Sequence, residues 1–114
     1  TPSNRPLVAG ILWKRLDRGF PLGVDATSRY KLKSWNDRPA FLAKLRDEND
    51  AYNTRHKRGL PPTPIGAPTF SSLQAALKPT PSEFLYYLHD AQKQLHPSRD
   101  AAEHEEQRKK YDVY

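Results

Sequence analysis

Apolar residues near the start of the chain recur at helical spacing, at Leu7, Val8, Ile11, Leu12 and Leu16, and form a single stripe. The spacing predicts a helix within residues 3–21: Ser3 or Asn4 can cap it, Pro6 suits its first turn, and Gly19 followed by Pro21 stops it. Trp13 lies beside the stripe, as core or as surface platform. Residues 22–32 have no clear period and read as loop with a turn of helix. Asp37, Arg38 and Pro39 open a second helix with Phe41, Leu42 and Leu45 inward, which fades through residues 46–51. Ser71 and Gln74 have capping-box spacing ahead of Leu73, Ala76 and Leu77, and Pro79 ends that short helix. Residues 83–89 alternate, are rich in aromatics and lie between Pro81 and Asp90, which predicts a strand; a turn over 90–93 returns it to a short partner near 94–96. Asp100 and Glu103 start a last helix with its acids early and bases late. Glu105 with Lys109 and Glu106 with Lys110 would each add a few tenths of a kcal/mol, about 0.3, at i to i+4 spacing. The apolar face of this helix is thin, so loose packing is expected. These elements predict an α+β fold, a single domain over residues 1–114 with helices packed on a small sheet.

One stretch breaks the pattern. Residues 52–69, YNTRHKRGLPPTPIGAPT, hold four prolines and two glycines, too many for a helix or a central strand. It is a shaped loop, opening on Tyr52, Asn53 and Thr54: a flat ring, an amide that donates and accepts, and a hydroxyl. That set suits a sugar, and a proline-stiffened loop would hold it ready without an ordering cost at binding. The same triplet could simply start a turn, which composition alone favours.

Composition narrows the chemistry. With 36% apolar and 28% charged residues and 11 prolines in 114, the chain is loop-rich, while 11% aromatic residues argue against global disorder. The net charge of +6 sits in residues 1–60, which carry thirteen Lys/Arg against six Asp/Glu. That points to an acidic or polyanionic partner, or to a merely solvated cationic surface. The absence of cysteine excludes disulfides, thiolate zinc sites and cysteine nucleophiles. No phosphate loop, dinucleotide fingerprint, zinc-protease motif or serine triad is legible. The four histidines lack ligand-like grouping, only His89 and His96 flanking the expected hairpin, so neither metal nor cofactor is predicted. No apolar run reaches bilayer length and no signal peptide is visible. Methionine is absent too, which suggests a processed product or a piece of a longer protein.

Among the acids, Asp47, Glu48 and Asp50 lie in a charged, solvated run. Asp25 stands alone between Val24 and Ala26 with Arg29 and Tyr30 close behind, as a site residue or as a turn or cap.

Three segments, RPLVAGILWKRLDRGFPLGVDATSRY, YNTRHKRGLPPTPIGAPTFSSLQAALKP and FLYYLHD, with the closing Glu-His of the last helix, together resemble the YceG-like family of endolytic murein transglycosylases. The most specific element is Tyr-Asn-Thr followed by Gly-Leu-Pro-Pro-x-Pro-Ile. The resemblance implies a lyase that cleaves the β-1,4 bond between N-acetylmuramic acid and N-acetylglucosamine in peptidoglycan and leaves 1,6-anhydro ends. It implies glycan strands as substrate, cell-wall synthases such as penicillin-binding proteins as partners, and no nucleic acid. It places the parent protein at the extracytoplasmic side of the cytoplasmic membrane, with an anchor expected upstream. Asp25, Thr27, Tyr30, Tyr52, Asn53 and Thr54 match positions that would line the glycan cleft, the proline loop forming one wall and the first helix and sheet framing the rest. The family's catalytic glutamate would fall before Thr1, so no catalytic residue is expected in this chain and the chain alone is expected to be inactive. Departures from the family pattern, Gly-Val-Asp-Ala-Thr at 23–27 and Thr63 and Ala67 in the proline loop, bear on glycan preference. Two rival readings remain: a non-catalytic murein-binding domain, and a basic module that grips nucleic acid through phosphate contacts and stacking on Trp13 and Trp35.

Overall fold

Local capping decides where the helices begin. A computed structural model describes residues 4–113, so Ser3, one of the two expected caps of the first helix, lies outside the described residues. In chain order the elements are α1 (Arg5–Asp17), α2 (Ala26–Arg29), α3 (Arg38–Arg46), α4 (Phe70–Leu77), β1 (Tyr86–His89), β2 (Leu95–Ser98) and α5 (Ala101–Lys110). The α+β class expected from the pattern is borne out. At α3 the Asp37 carboxylate accepts from the Ala40 N–H at 3.1 Å, with proline in the first turn. At α5 Asp100 accepts from the Glu103 N–H at 2.9 Å. Helix α4 starts earlier than its expected cap: Thr69 accepts from the Ser72 N–H at 3.1 Å, and Ser71 lies inside the helix. A threonine hydroxyl on an extended residue also serves as an N-cap, and the earlier start adds Phe70 to the helix.

The chain divides into two compact units, residues 15–67 and residues 1–14 with 68–114. In the second of these, β1 and β2 pair antiparallel, Tyr86 opposite Ser98 and His89 opposite Leu95, and α5 packs on both strands. The strand begins at Tyr86 and not at Glu83, since the partner strand turns into α5 after Ser98 and leaves residues 83–84 no backbone to pair with. Phe84 and Ser82 instead offer their carbonyls to the Lys14 ammonium. Helix α5 has no buried residue, as its thin apolar face foretold. It is fastened by the Gln107 amide, which donates to Pro97 O at 3.1 Å and to the buried Ser98 hydroxyl at 2.9 Å; within the helix itself, Glu105 pairs with Arg108 at 2.8 Å. The Trp13 indole N–H donates to Ala76 O at 3.0 Å and the ring stays half-exposed, so of its two expected roles it takes the surface one.

The hairpin turn hangs on Asp90. One carboxylate oxygen accepts from the Gln92 and Gln94 N–H groups at 2.9 Å each, and the other meets His96 Nε2 at 2.8 Å. The hydrogen bond from His96, then those from the backbone, hold the Asp90 carboxyl below its usual range. A carboxyl depressed in the folded state stabilises above its unfolded pKa, and that stabilisation fades as pH falls through the folded value. The stability gap between the native chain and Asp90→Asn should therefore be widest near neutrality and close below pH about 4, checked by urea unfolding at several pH values.

Candidate functional site

All six residues singled out by the sequence lie in the unit of residues 15–67. This unit opens on the end of α1, where Gly19 N–H bonds Leu16 O and Phe20 N–H bonds Arg15 O, the paired bonds of a left-handed glycine cap. The chain then runs extended alongside the start of the proline loop. Gly23 N–H donates to Thr54 O and Val24 N–H to Thr54 Oγ1, both at 2.9 Å, and a bridge pairs Pro21 with Arg58. The Thr27 hydroxyl donates to Val24 O at 2.8 Å and lies 3.1 Å from the Thr54 hydroxyl. Two buried threonines thus lock residues 23–27 to residue 54, thirty positions away.

Asp25 precedes α2, but its side chain does not cap that helix. Both its oxygens accept from Arg55, Oδ1 from Nε and Oδ2 from Nη2, each at 2.8 Å. This bidentate pair is a second rivet across the same join, partly open to solvent. Asp25 thus holds the N-cap position through its backbone carbonyl, which accepts from the Ser28 and Arg29 N–H groups, and leaves its carboxylate to Arg55.

Asn53 is fully buried. Its amide N–H₂ donates to Lys44 O, Leu45 O and Asp47 O at 3.0 to 3.1 Å, and its carbonyl accepts from Arg55 N–H. The last carbonyls of a helix have no partner within it, so Asn53 serves as a tertiary cap for the end of α3. Tyr52 is also buried; its hydroxyl lies 2.9 Å from that of Thr63 in the proline loop, its ring faces Tyr30 at 5.5 Å between centroids, and the Lys31 ammonium sits 4.6 Å over it. Tyr30 itself is 42% exposed.

The six residues are therefore brought together, in two layers. Thr27, Asn53 and Thr54 are interior and hydrogen-bonded to protein, while Asp25 and Tyr30 reach solvent and the Tyr52 ring backs Tyr30. The sequence reading missed Arg55 as the partner of Asp25 and Lys31 as the cover of Tyr52; neither carries a local signal, because each contact closes over 20 or more residues. A cavity of about 340 Å³ lined by Pro6, Ser71, Gln74, Ala75, Leu77 and Lys78 belongs to the other unit and contains no carboxylate. Among the described residues no His, Asp and Glu cluster could hold a metal ion, and no helix is long and apolar enough to cross a membrane.

The YceG-like family matches residues 1–110. The chain belongs to the YceG-like family. A curated relative from Bacillus subtilis, named endolytic murein transglycosylase, is 31% identical over 109 residues, 96% of this chain and 30% of its own length. One of the same name from Streptococcus pneumoniae is 28% identical over 112 residues, 89% of this chain and 20% of its own. A crystal structure of a YceG-like protein from Listeria monocytogenes superposes with a TM-score of 0.76 at 30% identity, covering 91% of this chain and 34% of that one. The chain thus spans less than a third of the length of the curated relatives it matches. Within this YceG-like chain, the join of residues 23–27 with 52–55 unites two of the three segments that carried the resemblance, although they lie far apart in sequence.

Proposed function

We propose that this YceG-like chain is part of a peptidoglycan-cleaving protein of the cell envelope and supplies part of its glycan-binding surface. The observation that carries the proposal is the family match over residues 1–110, with relatives named endolytic murein transglycosylases. The bond cut is the β-1,4 linkage between N-acetylmuramic acid and N-acetylglucosamine within a strand. A carboxylic acid protonates the leaving glycosidic oxygen; the resulting carboxylate then takes the proton of the muramyl C6 hydroxyl as that oxygen closes onto C1, giving a 1,6-anhydro end without water. One acid suffices for both proton transfers, unlike the two carboxylates of most glycosidases.

That acid is supplied from outside these residues, in the segment that precedes them in the family. Asp25, whose two oxygens already accept from Arg55, acts in binding. Asp25 and Tyr30 touch the strand, Tyr52 supports Tyr30 from behind, and Thr27, Asn53 and Thr54 hold the segments that carry them. The proline loop walls the groove through Thr63, which anchors the Tyr52 hydroxyl. The protein works on the extracytoplasmic side of the membrane alongside the cell-wall synthases.

The test is digestion of purified murein, with mass spectrometry of the products. The whole protein should release 1,6-anhydro-muropeptides and the 114-residue chain none, while the chain still sediments with murein. Replacing Asp25 with alanine should weaken that sedimentation by roughly fivefold to tenfold, the effect of one lost charge-assisted contact. A whole protein that is folded yet releases no anhydro product would refute the transglycosylase reading.

A further inference from the structure

Trp35 is 53% exposed, and its position is fixed from below. Arg29, the last residue of α2, donates from Nη1 to Trp35 O at 2.6 Å. The guanidinium of Arg29 lies 3.7 Å from the centroid of the fully buried Phe41 ring and 5.9 Å from that of Trp35. An indole left in water forgoes much of the stabilisation its burial would give, yet this one is held by a side chain stacked on the core. Residues 25–35 thus carry, in order, the Asp25 carboxylate, the exposed Tyr30 ring and the exposed Trp35 ring. Among the described residues no acceptor meets the Trp35 indole N–H, whereas that of Trp13 is held by Ala76 O.

We infer that Trp35 is a stacking platform for a sugar ring of the glycan strand, a subsite additional to Asp25 and Tyr30; the inference rests on the peptidoglycan reading above. A pyranose presents C–H groups on its faces and hydroxyls at its edge. The indole face covers the first and its N–H donates to the second, the combination of apolar area and a single polar handle that tryptophan offers. A nucleobase would stack on the same face, and the family match is what favours a sugar over it. Arg29 acts as a positioning residue, setting the ring before the strand arrives.

The probe is murein glycan strands stripped of their peptides, added to the 114-residue chain carrying Trp13→Phe, so that Trp35 is the sole tryptophan. Its emission should change saturably with strand concentration. In the otherwise native chain, Trp35→Ala should weaken strand affinity roughly tenfold with the unfolding midpoint unchanged, and Trp35→Phe should restore most of it. The emission titration uses a chain that retains Trp35, so it decides the matter even if the alanine variant folds poorly. Silent emission, or a Trp35→Ala chain that binds within twofold of native while Asp25→Ala weakens, overturns the platform and leaves the peptidoglycan reading standing. A native chain that fails to bind strands at all sinks both. A salt-sensitive response to a single-stranded oligonucleotide with none to glycan overturns the platform in favour of nucleic acid.

Discussion

Replacing Asn53 with alanine should lower the unfolding free energy by about 3 kcal/mol, among the largest single losses available in the unit of residues 15–67. The amide donates to three carbonyls at the end of α3, and the bond to Leu45 O lies wholly in the interior. Truncation strands that acceptor and leaves a gap where Asn53 was fully buried; an unsatisfied buried acceptor costs about 1 to 3 kcal/mol and the gap adds to it. Asn53→Asp separates the two causes. It keeps the volume and the carbonyl-like acceptor but replaces two donors with an oxygen aimed at carbonyl oxygens, so it should destabilise at least as much. Urea unfolding with an unchanged slope and a lowered midpoint is the expected signature. A loss under about 0.5 kcal/mol for the alanine variant would show that water replaces the amide and that Asn53 is not a structural cap. In the same experiment, murein association should fall with the folded fraction, since Asn53 supports the glycan contacts and does not make them.

Gly10→Ala should destabilise the other unit by at least about 2 kcal/mol, although alanine is the better helix former by about 1 kcal/mol. Gly10 lies within α1, where a Cβ would stand 2.2 Å from Thr80 O and 3.3 Å from Thr80 C. The obstruction is backbone and cannot rotate away. It is also tied to the helix, because Thr80 N–H donates to Pro6 O at 3.0 Å. The crossing of the residue 80 segment over α1 must therefore open, which also strains the contacts of Lys14 with Ser82 and Phe84. A fall in melting temperature of roughly 10 °C is expected by calorimetry. Ala9→Gly, one position away, should cost only the helix-propensity difference of about 1 kcal/mol. A gain of about 1 kcal/mol for Gly10→Ala, the mirror of the Ala9→Gly loss, would mean that propensity, and not the close approach, governs Gly10.

How far the sequence could be read depends on the range of the interactions concerned. Asp37 and Asp100 cap α3 and α5 through bonds that close within three residues, so residue type and spacing suffice to find them. Thr69 and Ser71 are both competent caps two positions apart, and a pattern of hydroxyls cannot rank them. The hairpin was legible from alternation and from Asp90, whereas the strand's start depended on where its partner turned away into α5. Asn53 is the clearest divide. An amide that donates and accepts suits a sugar or a frayed helix end equally well, and only the approach of the α3 end to residue 53 gives it three carbonyls to bind.

The amino-acid sequence by itself determined the α+β class, the element order, the stiff loop after Tyr-Asn-Thr and the family to which the chain belongs. All of these rest on spacing and residue type along a few turns of chain. Only the tertiary structure decided that Asp25 is riveted to Arg55, that Thr54 fastens residues 23–27 to the proline loop, and which candidate residues face solvent. The physical reason is that a hydrogen bond or ion pair is specified by distances of about 3 Å, and between residues twenty or thirty apart that distance is set by the folded backbone and leaves no mark in the local pattern.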